Sequence, residues 1–263
     1  MKLGKKILSA IILPVLGLSM VSCTSMTSYA DADKYLIGSQ TYTGELKTLD
    51  IDWISGQVTL IEDSTATSIS VVEENDLPDE KKVHSYFHDG ILNIKYWESG
   101  LRAKFIDSSK KHLYVTYPSL ENLDVDLTSG KLATGKITAK TVNVDLTSGS
   151  MDFDGITCEA INADLTSGSI TINNLETGTG EFDCTSGSIT IQHSKADSLS
   201  FDLTSGKIDL TIPEKGATVK FNKVSGSYHS IRENYTKNDN KYVYGDGSCQ
   251  IKISVTSGKA YIR

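Results

Sequence analysis

The chain has 263 residues, with 26 Lys and Arg against 33 Asp and Glu, a net charge of −7 and five histidines. Serine occurs 32 times, threonine 26 times, glycine 21 times and proline four times. This balance excludes a collagen, a coiled coil and a basic nucleic-acid binder, and spread apolar residues (38 %) argue against disorder.

Lys2, Lys5 and Lys6 form a basic start, and Ile7 to Val21 is an apolar run. That run has the length of a signal core and is short for a membrane span. It ends at Met20-Val21-Ser22-Cys23, which resembles a lipobox in which Cys23 is acylated and becomes the mature N-terminus. Residues 1–23 are therefore expected to be a signal peptide of the lipoprotein type. The rival is ordinary cleavage after Ala30 or Ala32, giving a secreted or periplasmic form; an uncleaved anchor is the third reading. Removing residues 1–23 takes away three lysines and no acid, so the charge falls from −7 to −10. Nucleic acid and acidic lipid are poor partners for such a chain.

Residues 24–45 are expected to be a linker, and 46–263 one domain. Leu49, Ile51 and Trp53 alternate before Ser55-Gly56, and Val58 and Leu60 after it. Residues 73–82 form a charged loop. His88-Asp89-Gly90 between alternating runs predicts a tight hairpin. Residues 112–118 form another strand.

The regular part spans 120–213. Thr-Ser-Gly recurs with its glycines at Gly130, Gly149, Gly168, Gly187 and Gly206, each nineteen residues after the last. Self-similarity at such a step indicates a solenoid, in which each unit covers its neighbour's apolar face. Within a unit the period is two: Leu123, Val125 and Leu127 alternate with Asp124 and Asp126, and Ile170 and Ile172 follow the turn. The expected fold is all-β, a single parallel β-solenoid of about nineteen residues per turn with atypical capping ends. Five coils stacked at about 4.8 Å make a rod of about 24 Å. Glycine is expected at the turn because it reaches positive φ at little cost. Beyond 213 come looser copies at Ser225-Gly226 and Ser257-Gly258, with a polar loop between them.

Cys184 falls in a row of leucines and Cys249 in phase with Ile251 and Ile253, so both are expected to be buried hydrophobes. Cys158 has no clear position, and three cysteines after Cys23 give no disulfide framework. Tyrosines cluster near both ends, either packing the caps or binding a glycan or protein partner.

These features resemble a bacterial domain family of unknown function described as putative adhesins. The match is carried by the early strand–Ser-Gly–strand segment from Leu49 to Leu60, the strand and proline from Leu113 to Pro118, the repeated units, and the closing piece from Gly245 to Ile262. The resemblance implies a β-solenoid at the cell surface and brings no catalytic residues.

One constellation carries candidate chemistry. Asp126, Asp145, Asp164, Asp183 and Asp202 occupy one outward row. They could bridge cations such as Ca²⁺, since hard cations take carboxylate oxygens. Alternatively each Asp turns to the amides of the Thr-Ser-Gly turn and locks it. No cofactor is otherwise expected. The histidines share no spacing, and no nucleophile, phosphate-loop or dinucleotide motif occurs. The function expected is therefore non-enzymatic: an exported, lipid-anchored scaffold or binding module of the envelope, adhesin-like, with an envelope protein or glycan as partner. The alternatives are an accessory or sensor in envelope-stress signalling and a glycan-cleaving β-solenoid enzyme.

Overall fold

The computed structural model describes residues 28–100 and 111–263, so Cys23 and the signal segment lie outside the described residues. In chain order the strands are β1 (Leu36–Ile37), β2 (Gln40–Tyr42), β3 (Thr48–Trp53), β4 (Gln57–Glu62), β5 (Ile69–Glu73), β6 (His84–His88), β7 (Ile91–Lys95), β8 (His112–Tyr117) and β9 (Asn122–Leu127). There follow β10 (Lys131–Thr138), β11 (Thr141–Leu146), the long extended run β12 (Ser150–Leu203), β13 (Lys207–Leu210), β14 (Gly216–Lys223) and β15 (Ser227–Ser230). The chain closes with β16 (Tyr235–Asn238), β17 (Lys241–Gly245), β18 (Cys249–Val255) and β19 (Lys259–Ile262). All join one solenoid-like sheet, and the described residues contain no α-helix. Within the segment 24–45, expected to be a linker, β1 pairs with β6 and β2 with β5.

In the centre the pairing is parallel. Thr141 of β11 faces Asn122 on one side and Ala160 on the other, and Lys131 of β10 faces Ser150, each nineteen residues away. Because this step is odd only in count and not in strand phase, every inward residue stacks on an inward residue. Leu123, Val142 and Ile161 form one such buried column, and Leu132 and Met151 another. Each fully buried aliphatic side chain contributes about 1.5–3 kcal/mol, so repetition of a modest unit stabilises the rod.

The ends depart from sequence order. β3 lies between β7 and β9, and β4 between β8 and β10. Likewise β18 lies between β12 and β14, and β19 between β13 and β15. The early and late Ser-Gly units are thus interior rungs, not end pieces. Their apolar faces explain this: Leu49, Ile51 and Trp53, and Ile253 and Ile262, are fully buried and require cover on both sides. The true end pieces are β5 with β6 and the hairpin β16–β17, all of which pair antiparallel. The Asp-Gly hairpin forms as expected, with His88 facing Ile91 and φ of 51° at Asp89 and 80° at Gly90.

The turn glycines have a second cause that periodicity did not show. Gly130, Gly149 and Gly168 have φ of +114° to +128°, but Gly187 and Gly206 are not in that region. What all five share is a neighbour. A Cβ on Gly149 would lie 2.2 Å from the Gly130 carbonyl oxygen, one on Gly187 2.7 Å from that of Gly168, and one on Gly206 3.0 Å from that of Gly187. The coils approach so closely at this corner that a side chain has no room.

Candidate functional site

The register that stacks leucine on leucine also stacks aspartate on aspartate. Asp126 pairs in register with Asp145, and Asp145 with Asp164. The row extends one rung beyond the expected five, because β3 sets Asp52 against Asp126. On the far side of Asp52 stands Lys95 of β7, which donates a hydrogen bond to it and lies 3.5 Å from Asp50. At the opposite end the Lys252 ammonium lies 3.8 Å from Asp202. The site is therefore a file of carboxylates at single-rung spacing with a cation at each end.

Sequence reading missed Asp52 and Lys95. The alternation of Asp50 and Asp52 with apolar residues was visible, but its distance from the other copies does not follow the nineteen-residue step. The neighbouring file shows how the sheet relieves like charge. Asn143 Nδ2 donates to Asp124 Oδ1 at 2.6 Å, and Asn162 Nδ2 to Asn143 Oδ1 at 2.9 Å. In the Asp file no amide intervenes, and carboxylate stands next to carboxylate.

Burial, the hydrogen bond with Asp145 and the charge of Asp52 push the Asp126 carboxyl up to about 7. Desolvation and the flanking aspartates also raise Asp164, and desolvation with Asp202 and Glu181 raises Asp183. Burial works against the charge on Lys95, but its bond to Asp52 and the charges of Asp50 and Asp52 outweigh it and raise its pKa. Within the file, Asp126 consequently keeps its proton to a higher pH than it does in an unfolded chain.

The turn amides are already taken: Thr147 N donates to Leu127 O, Ser148 N to Thr128 O and Ser150 N to Gly130 O, at 2.9–3.0 Å. For these amides the coil below supplies the acceptors. Among the described residues no three His, Cys, Asp or Glu side chains are grouped to hold a metal ion. The carboxylates form a line, with one per coil, rather than a cage.

A pH dependence follows, with the sign set by the raised carboxyls. A group whose folded pKa exceeds its unfolded value stabilises most below the unfolded pKa, and the benefit disappears as pH rises through the folded one. For Asp126 that window runs from 3.8 to about 7. Thermal melts should show lower stability at pH 8 than at pH 5. Asp126→Asn should recover about 1–2 kcal/mol at pH 8, a value reduced from the full linkage because the carboxyl is only half buried. An unchanged melting temperature with pH, or a variant less stable at pH 8, would contradict the raised carboxyl of Asp126.

A second feature runs along the third side of the coils. A groove of about 730 Å³ is lined by Lys136, Gly155, Asn174, Glu176, His193, Lys195, Glu214 and Arg232. Glu176 accepts a hydrogen bond from Lys195, and Arg232 reaches the Pro213 carbonyl at 3.4 Å. Lys136, Arg232 and the rim of Thr and Asn side chains leave this concave strip less acidic than the chain as a whole.

Cys184 and Cys249 are buried as expected, and burial raises both thiols, Cys249 to about 11. Cys158 is half-buried and its thiol donates to Thr177 Oγ1 at 3.4 Å, one coil away. The C-terminal tyrosines pack on one another: Tyr228 stacks on Tyr242 with centroids 4.2 Å apart, and its hydroxyl is 2.7 Å from that of Tyr244. No helix among the described residues is long and apolar enough to cross a membrane.

No curated protein matches the chain. Among solved structures it is similar to a putative adhesin from Bacteroides fragilis NCTC 9343 at 12 % identity, over 87 % of this chain and 97 % of that one, with a TM-score of 0.47. A putative lipid binding protein from Parabacteroides distasonis ATCC 8503 shares 14 % identity over 86 % and 97 %, again with a TM-score of 0.47. A putative cell adhesion protein from Clostridium sporogenes ATCC 15579 shares 11 % over 86 % and 99 %, with a TM-score of 0.32. The family model described as Toastrack DUF4097 matches residues 43–263, which include every repeat and both end pieces. The chain therefore belongs to the Toastrack DUF4097 family.

Proposed function

We propose that this protein is a non-enzymatic binding module of the bacterial cell envelope, adhesin-like in its contacts, exported and held to the membrane by a lipid on Cys23. Its domain begins near residue 46, and its central coils form one parallel solenoid of nineteen residues per turn. The observation that carries the reading is the groove from Lys136 to Arg232, lined by polar side chains from successive coils. A groove that runs across several coils offers an extended polymer several contacts, and several weak contacts sum to useful avidity. The ligand class is an envelope glycan or an extended protein segment. No bond-breaking step is assigned: Glu176 in the groove is already engaged by Lys195.

Co-sedimentation of the whole chain with purified envelope polymer tests this. Lys136→Glu combined with Arg232→Glu should weaken binding about tenfold, a loss of about 1.4 kcal/mol. Absence of binding to any envelope fraction, or binding that ignores both substitutions, would remove the groove from consideration. Incorporation of a palmitate analogue, abolished by Cys23→Ala, tests the anchor. A deletion strain that attaches normally but mis-regulates its envelope-stress response would favour the sensor alternative.

A further inference from the structure

Among the described residues four strands end the two main sides of the stack, and three of them are covered. β7 carries antiparallel β6, β8 carries antiparallel β5, and β14 carries antiparallel β17. The fourth, β15, pairs among the described residues with β19 alone. Ser227 N donates to Gly258 O at 3.0 Å and Ile231 N to Ile262 O at 2.9 Å, both toward β19. Strand alternation then turns the N–H and C=O groups of Tyr228 and Ser230 outward, to an open edge.

Open edges are ordinarily shortened, charged or bulged against unwanted pairing. The other outer strands follow that rule: β1 has two residues, β2 three, and β16 carries Lys237. β15 does not, for it reads Ser-Tyr-His-Ser without a lysine, acid or proline. It is flanked by Val224 and Ile231, which at 81 % and 60 % are the most exposed large hydrophobic residues of those described. An uncharged edge bracketed by two exposed aliphatics is a pairing surface.

We propose that β15 is a self-association edge, on which the β15 strand of a second copy of this chain lies antiparallel. A two-fold axis through a sheet makes the two identical strands antiparallel, which is the orientation the molecule uses at its three covered ends. One such contact satisfies both open edges at once and covers Val224 and Ile231 of both copies. A second copy also brings the same strand, which from Ser227 to Ser230 holds no lysine, arginine or acid. The hairpin β16–β17 pairs with β14 and meets β15 through side chains, Tyr242 stacking on Tyr228 and the Tyr244 hydroxyl donating to Ser230 Oγ, but among the described residues it does not pair with the β15 backbone. The proposal does not depend on what the groove binds.

Sedimentation equilibrium of the purified whole chain across a range of concentrations tests it. The contact is smaller than a standard interface, so the expected result is a monomer–dimer equilibrium in the micromolar range or weaker. Hydrogen exchange at the Tyr228 and Ser230 amides should slow as concentration rises. Val224→Lys combined with Ile231→Lys places charge at exposed positions only, and should weaken the dimer at least about tenfold while the melting temperature at low concentration is unchanged. A chain that stays monomeric throughout overturns the proposal. So does a dimer that survives both substitutions without concentration-dependent protection of those amides. A monomeric chain that instead protects them on adding an extended peptide would assign the edge to a different partner and also overturn it.

Discussion

Gly149→Ala should destabilise the protein by about 3–5 kcal/mol, enough to unfold a domain of ordinary stability or leave it insoluble. Two effects add. The backbone at Gly149 has φ of +114°, which an L side chain rarely adopts. The new methyl carbon would also sit 2.2 Å from the Gly130 carbonyl oxygen and 2.8 Å from its nitrogen, so two coils would have to separate. Separation breaks the Ser150 N to Gly130 O bond at the same corner. Gly135→Ala is the control, since nothing lies within 4 Å of a Cβ there and its φ is not positive. Denaturant unfolding of the two variants should give a large loss and almost none. Equal, small losses would mean that the coils can part at the turn without cost.

Lys111→Met should cost about 3–5 kcal/mol, because it strands a buried carboxylate. The Lys111 and Glu73 side chains are 3 % and 2 % exposed, with Nζ 3.1 Å from Oε1. The ammonium also donates to the carbonyl oxygens of Lys81, at 2.7 Å, and Tyr96. It lies 4.2 Å from the centroid of the Tyr96 ring and 5.1 Å from that of Trp53. Glu73 Oε2 in turn accepts from Val83 N at 3.0 Å. One ion pair therefore ties the end of β7, the start of β8 and the charged loop to the edge of β5. Burial lowers the Lys111 pKa to about 8 despite the opposing pull of Glu73, so the desolvation of the ammonium exceeds the attraction it gains. Its value to the fold is in satisfying both charges together. Lys111→Met with Glu73→Gln should therefore recover a large part of the loss, read by urea unfolding of the single and double variants. A double variant as unstable as the sum of its parts would show that each residue acts alone.

The two predictions concern different kinds of order. Gly149 belongs to the periodic centre, where the same close approach repeats each coil. Lys111 and Glu73 belong to an end piece, where one buried pair replaces repetition. The carboxylate file joins the two: its middle members repeat, but it ends on Lys95 of β7, the strand that the end piece covers, at Asp52 of the inserted early unit.

What the sequence determined by itself is whatever recurs. Leu123, Val125 and Leu127 announce a strand with one buried face, the nineteen-residue step announces stacked coils, and together they place Asp126, Asp145 and Asp164 in one outward row. The strand alternation and the row hold because side-chain alternation is local and a constant step preserves it from strand to strand. The positive φ at Gly130, Gly149 and Gly168 was equally legible, but the backbone contact that excludes a side chain at Gly187 and Gly206 was not. Tertiary structure alone decided the insertion of β3 and β18 into the stack, the sixth carboxylate at Asp52, its cation Lys95, the buried Lys111–Glu73 pair and the open edge at β15. A strand edge accepts any chain that lies in register along it, whatever its distance in sequence. Asp52 meets Asp126 across 74 residues and Lys95 across 43, and separations that occur only once leave no period to read.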